Sequence, residues 1–330
     1  MTTYKLIRIA GGHINTLYPH IEPREKQWIR VSPSHSIYVE RCGQKGGHPV
    51  IFLHGGPGSQ INANHRRYFD PEFFDVVLFD QRGCGQSRPA GETRDNNTQA
   101  LIKDINALRE ILGIQGRMML FGGSWGSALA LAYARKFPQH VAAMILRGVF
   151  LATDKEVEWF TNGLSRFAPA AFQQLTDGMS DDLVQAYHEA VFSSDERLAS
   201  EAAVRWVNYE MQIMSIGVES NGQSSTTELQ PSQALLNRAR IQLHYLRHHC
   251  FLADVSLLNS AASLFMPVTI VQGALDMVCP PITAWQLSEQ LPNARFRLVG
   301  KAGHSGLSDS MASALREETD AMRELLRTLE

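Results

Sequence analysis

The pentapeptide Gly122-Gly123-Ser124-Trp125-Gly126 constrains this chain more than any other stretch. It directly follows the apolar run Met118-Met119-Leu120-Phe121 and opens onto Ser127 to Ala134, a run of alanine and leucine that favours helix. A strand that feeds a helix through G-x-S-x-G turns so sharply that the serine is left in strained backbone geometry, with its hydroxyl exposed at the sheet edge. The flanking glycines let strand and helix close on each other where a Cβ would clash. A glycine-rich surface turn has the same local pattern. The remaining chain therefore has to supply a base, an acid and oxyanion donors.

The strands around the elbow set the fold. Trp28 to Val31 and Ser36 to Glu40 alternate apolar and polar residues, with Ser32-Pro33-Ser34 between them, which predicts an antiparallel hairpin at one sheet edge. Residues 1 to about 27 carry Pro19 and Pro23 and read as an irregular leader. Pro49 to Leu53, Val76 to Phe79, Arg117 to Phe121 and Ala142 to Leu146 are continuous apolar runs, the signature of strands buried on both faces. Thr98 is expected to cap a helix whose stripe of Leu101, Ile105, Leu108, Ile111 and Leu112 faces the sheet. Strands alternating with helices predict a mostly parallel, doubly wound α/β sheet.

From Phe150 to Ser263 the rhythm changes. Helical stretches recur at 155–167, 181–192, 196–216 and 231–246, broken by the polar gap Glu219 to Glu228, which reads as a mobile loop. The α/β rhythm resumes with Pro267 to Val271, a helix from Pro281 to Leu291, a strand from Arg295 to Val299 and a final helix. The expected organisation is a core over residues 1–149, an all-helical cap over 150–263, and a return to the core over 264–330. A length of 330 residues suits one large domain with an insertion.

Composition excludes several functions. With 31 basic and 33 acidic residues the formal net charge is −2, so nothing drives phosphate-backbone binding and no nucleic-acid partner is expected. Cys42, Cys84, Cys250 and Cys279 form no CxxC pair and read as free thiols of a reducing compartment. The start of the chain lacks a signal-peptide pattern, and no run reaches the length of a membrane span. A soluble cytoplasmic protein without a membrane partner is the expectation.

A nucleophilic serine needs a base within reach and an acid to orient it, in the chain order serine, acid, histidine for this kind of sheet. His304, in Gly303-His304-Ser305 after the last strand, is the candidate base. Asp276 follows the penultimate strand and is the candidate acid; Asp254 and Asp309 do not sit at a strand's carboxyl end. His248 and His249 fall in a helical region, and His54 belongs to the glycine turn His54-Gly55-Gly56-Pro57-Gly58. That turn follows a buried strand and leaves backbone N–H groups free to hold an oxyanion.

Four motifs now combine: His54 to Gly58, Asp80-Gln81-Arg82-Gly83-Cys84-Gly85-Gln86-Ser87, Gly122 to Ser127, and Gly303 to Ser305. Together, over nearly the whole chain and including Leu146 to Phe150, they resemble the proline iminopeptidase (prolyl aminopeptidase) family of the α/β-hydrolase superfamily. The resemblance implies Ser124 as nucleophile, His304 as general base, Asp276 as orienting acid, and the N–H groups of Gly56 and Trp125 as oxyanion donors. It implies a peptide substrate with a free N-terminus, and no metal or organic cofactor. Phe150 and Phe160 fall at the family's positions for an apolar proline slot, and Leu246 stands where a phenylalanine is usual. Glu210, in Trp206 to Glu210, matches the carboxylate that anchors the substrate amine.

One position departs from the family. In Ala239 to Tyr245 the second anchoring glutamate is replaced by the neutral Gln242. The missing charge is expected to weaken amine binding by about 1–3 kcal/mol, the scale of a charged hydrogen bond. Gln242 and Leu246 together motivate the competing reading, an esterase or amidase of the same fold with a different acyl group. A non-catalytic binding protein of this shape is the reading from another class.

Overall fold

Two kinds of strand build the sheet, and their residues differ as their surroundings do. The computed structural model describes residues 17–216 and 229–329. At one edge, β1 (Glu25–Arg30) pairs antiparallel with β2 (Ser36–Gly43), Trp28 opposite Tyr38. β1 starts inside the stretch read as leader; residues 1–16 lie outside the described ones. The inner strands β3 (His48–Leu53), β4 (Phe74–Phe79), β5 (Met118–Gly123), β6 (Val141–Arg147) and β7 (Val268–Gly273) are almost wholly buried. β8 (Ala294–Val299) closes the far edge in the order β1-β2-β4-β3-β5-β6-β7-β8. β2 meets β4 antiparallel, and every pairing from β4 to β8 is parallel.

Alternate residues of the inner strands feed opposite cores. Ile51, Leu53, Val77, Leu120 and Leu146 pack with helices α1 (Thr98–Ile111) and α2 (Trp125–Lys136) on one face. Val50, Phe52, Val76, Met119 and Phe121 face residues of the last helix, among them Met311 and Leu315. Burial on both faces explains why these strands read as unbroken apolar runs.

Two local expectations change. Asn97, not Thr98, caps α1, its side chain accepting the N–H of Ala100. Thr98 is the first helical residue, and its hydroxyl donates to the carbonyl of Cys250, a tertiary contact that no local pattern reports. Ile111 stands roughly 90° round the helix from the stripe of Leu101, Ile105, Leu108 and Leu112, on a flank that is 57 % exposed, while Ile102 on the opposite flank joins the core.

Between β6 and β7 lie α3 (Asp154–Thr161), α4 (Pro169–Thr176), α5 (Leu183–Val191), α6 (Glu196–Ser215), α7 (Gln233–Arg247) and the short α8 (Leu257–Ser260). α4 escaped the sequence reading: it is only eight residues long and is started by proline at its first position. α3 to α7 share a core of their own around Trp206, Tyr187 and Leu243. Residues 217–228, and with them the Glu219–Glu228 gap, lie outside the described residues. α9 (Pro281–Gln290) precedes β8, and α10 (Asp309–Leu329) follows it. Among the described residues no helix is long and apolar enough to cross a membrane.

Candidate active site

Ser124 occupies the turn from β5 to α2 at φ 56° and ψ −124°. A non-glycine residue with positive φ costs on the order of 1–3 kcal/mol and persists only where its surroundings over-determine it. Here its N–H donates to the carbonyl of Arg147 (2.8 Å), and its own carbonyl accepts the N–H of Ser127 (2.8 Å). The glycines act as expected: a Cβ on Gly122 would lie 2.2 Å from the Gly126 carbonyl oxygen, and one on Gly126 would lie 2.1 Å from that of Leu53.

The two partners arrive from neighbouring strands. Asp276 follows β7 and His304 follows β8, and His304 Nδ1 lies 2.8 Å from Asp276 Oδ2 and 3.0 Å from Oδ1. Asp276 is 2 % exposed. Its Oδ1 also accepts the N–H groups of Val278 (3.1 Å) and Cys279 (2.8 Å), and its Oδ2 accepts Gln272 Nε2 (3.1 Å). Those donors fix the carboxylate, and the carboxylate fixes the ring, leaving Nε2 for a nucleophile. The rivals Asp254 and Asp309 are both exposed. Gly148 lies against the pair; a Cβ there would be 3.2 Å from His304 Nδ1 and 3.3 Å from Asp276 Oδ2. Burial, with the Asp276 carboxylate nearby, holds the Cys279 thiol far above the ordinary thiol range.

The glycine turn is tied to the elbow through side chains. Gln81 donates its backbone N–H to His54 Nε2 (3.0 Å) and its amide to the His54 carbonyl (2.8 Å), and accepts Trp125 Nε1–H (2.9 Å). Burial pushes His54 down to about 4, so the ring is neutral at pH 7: Nδ1–H donates to the Gly55 carbonyl and Nε2 accepts. Gly55 abuts Ser124, a Cβ there falling 3.1 Å from the serine Cβ. Gly56 has φ 114°, and Trp125 opens α2, whose first N–H groups lack intrahelical partners. The carbonyl of Arg238 comes within 2.5 Å of where a Gly58 Cβ would be, which seats α7 on this turn.

A cavity of about 170 Å³ joins these pieces, with Gly56, Ser124, Arg147, Glu210, Arg238 and His304 among its lining residues. Glu210, 8 % exposed on α6, accepts Arg238 Nη2 at 2.7 Å and Gln242 Nε2 at 3.5 Å, both from α7. Gln242 Oε1 in turn accepts Trp206 Nε1–H at 3.0 Å. Phe150, Phe160, Leu246 and Gln242 are not among the residues lining this cavity. Phe160 packs edge-on against Trp206 and Tyr209 (ring centroids 5.8 and 5.2 Å), Leu246 contacts both the sheet core and the helical core, and Phe150 leans on the sheet core.

Comparisons with known proteins give the family of the chain. The pattern of the alpha/beta hydrolase fold family matches residues 48–310. The proline iminopeptidase of Arabidopsis thaliana is 38 % identical over 319 residues, covering 94 % of this chain and 83 % of that protein. Those of Neisseria gonorrhoeae (37 %; 91 % and 96 % covered) and Xylella fastidiosa (38 %; 93 % and 99 % covered) are as similar. The chain belongs to the proline iminopeptidase family of α/β hydrolases. Solved structures share the fold at lower identity: a Bacillus anthracis hydrolase (TM-score 0.62, 20 % identical; 89 % and 99 % covered) and a Thermogutta terrifontis esterase (TM-score 0.57, 19 % identical; 92 % and 98 % covered).

Gln81, Arg147, Gln272 and Arg238 all touch the proposed machinery, and none was singled out. Arg238 had a readable signal, since it lies one helical turn before Gln242 and so shares its face of α7. Gln272 meets Asp276 only four residues on, whereas Gln81 and Arg147 meet their partners through packing of distant segments.

Proposed function

We propose that this chain is a serine aminopeptidase that releases N-terminal proline from peptides through an acyl-enzyme. The observation that carries the reading is the buried His304–Asp276 pair bordering the cavity that holds the strained Ser124. Relatives named proline iminopeptidase, 37–38 % identical over more than nine-tenths of this chain, supply the substrate class.

In this mechanism Ser124 Oγ gives up its proton to His304 Nε2 and attacks the prolyl carbonyl. The N–H groups of Trp125 and Gly56 take the developing oxyanion, a stabilisation worth about 3–4 kcal/mol per donor in acyl transfer. His304, held in its tautomer by Asp276, passes the proton to the leaving amine. Water then enters, His304 accepts its proton, and proline leaves. Glu210 receives the substrate ammonium, and Phe150, Phe160 and Leu246 support the proline slot from the cores behind it. Gln242 supports Glu210 through its amide. Residues 150–263 act as a cap over a core formed by 1–149 and 264–330. The four buried free thiols suit a reducing cytoplasm.

Hydrolysis of a proline arylamide tests the reading. The wild type is expected to turn it over, and Ser124→Ala to lose at least about 10⁴-fold in kcat. Turnover that survives Ser124→Ala, or activity on simple acyl esters with none on proline arylamides, overturns it.

A further inference from the structure

The amine anchor of this chain is already occupied. Glu210 is the one carboxylate lining the cavity among the described residues, and its Oε2 is taken by the Arg238 guanidinium at 2.7 Å. Arg147 lines the same cavity, so its fixed charges are two guanidinium groups against one carboxylate. A substrate bearing only an ammonium therefore enters a site whose sole anion is shared. Gln242, where the family resemblance calls for a second glutamate, does not restore the balance.

Arg238 itself is under-used. Of its guanidinium donors, Nη2 bonds Glu210, while the buried Nε–H has no partner among the described residues. A buried unpaired donor is uncommon and costs free energy until an acceptor reaches it. Arg238 side-chain exposure of 29 % leaves the group room to meet a ligand. A guanidinium fork also matches a carboxylate in two places at once. The cavity volume of about 170 Å³ lies below the roughly 300–1,000 Å³ of pockets for drug-sized ligands, which points to a small substrate.

From these observations we infer that Arg238 is a specificity-determining residue that selects short zwitterionic peptides by exchanging ion pairs. On binding, the substrate ammonium takes a place on Glu210, and the guanidinium it displaces takes the substrate's own C-terminal carboxylate. Both charges of the peptide are then paired, and neither Glu210 nor Arg238 is left alone. A peptide whose carboxyl end is amidated, or too distant to reach, leaves Arg238 uncompensated. The inference rests on the aminopeptidase reading above and names the substrate class that its site prefers.

The test compares proline release from prolylglycine and prolylglycinamide at low ionic strength by the wild type, Arg238→Met and Arg238→Lys. The wild type is expected to favour the free acid by roughly fivefold in kcat/KM, the scale of a charge pair in a partly wet site. Arg238→Met brings the ratio to about one, and Arg238→Lys keeps part of it, because a point charge replaces the fork. Circular dichroism shows whether the variants are folded, and proline arylamide, which has no carboxylate, isolates the amine side of the exchange. Its KM holds or falls in Arg238→Met, since Glu210 is no longer shared. A wild-type ratio at or below one, or a preference unchanged in Arg238→Met, overturns the inference while arylamide turnover leaves the aminopeptidase reading standing. Absence of turnover on the arylamide and both peptides overturns the reading and the inference with it.

Discussion

Arg147 and His304 are joined by a hydrogen bond from guanidinium to backbone carbonyl, while the carbonyl of Arg147 accepts the N–H of Ser124 at 2.8 Å. One residue at the end of β6 thus ties the loop of the proposed base to the elbow of the proposed nucleophile. Neither bond touches the atoms that react, so Arg147 acts by position.

Arg147→Met is expected to lower kcat on a proline arylamide by about a hundredfold, because an ångström of misplacement between reacting groups costs that much. KM should change little, and Arg147→Lys should recover part of the rate. A variant whose KM rises while kcat holds would assign Arg147 to substrate binding instead.

Gln242→Glu adds a second carboxylate beside Glu210 without removing the Trp206 bond, since either oxygen of the new side chain can accept it. KM for a proline arylamide is expected to fall about five- to tenfold at low salt, and the gain should shrink as salt screens the charge. Steady-state kinetics at two ionic strengths check this. An unchanged KM would remove the amine from the neighbourhood of Glu210.

His54 carries an acid-sensitive share of the stability. Burial depresses it from 6.5 to about 4, so the unfolded chain takes up a proton more readily than the folded one across that window. Its contribution is complete above pH 6.5 and is lost as pH falls towards 4, a span of about 2.5 units and therefore about 3 kcal/mol. His54→Gln cannot titrate. The stability gap between wild type and variant should be widest at pH 7 and should narrow by pH 4; denaturation midpoints that shift in parallel would contradict the assignment.

Gly126→Ala probes the elbow directly. Its Cβ would fall 2.1 Å from the Leu53 carbonyl oxygen, a contact with backbone that a side-chain rotation cannot relieve. Destabilisation of about 3 kcal/mol is expected, the upper part of the range for overpacking. A thermal midpoint equal to that of the wild type would show that β3 and α2 have room the structure denies them.

Much of this protein is legible locally. The apolar runs of β3 to β7, the glycines of the elbow, and Asp276 and His304 each following a strand are signals confined to a few consecutive residues. Burial on both faces of a sheet and close backbone approach leave marks on composition wherever they occur, so fold and chain order could be read from them. Other features have no local trace. The cap on α1 depended on one residue of register, and the exposure of Ile111 against the burial of Ile102 depended on which flank of that helix has a neighbour.

What the sequence alone determined is therefore the kind of chemistry: a serine on a strained turn, with an acid and a histidine arriving in order. What only the tertiary structure decided is how those groups are held and charged. Gln81 reaching Trp125, Arg147 reaching the His304 carbonyl and Arg238 occupying Glu210 are contacts between groups 28 to 157 residues apart. Such meetings are set by which helix faces pack together, and the balance of charge around Ser124 follows from the packing.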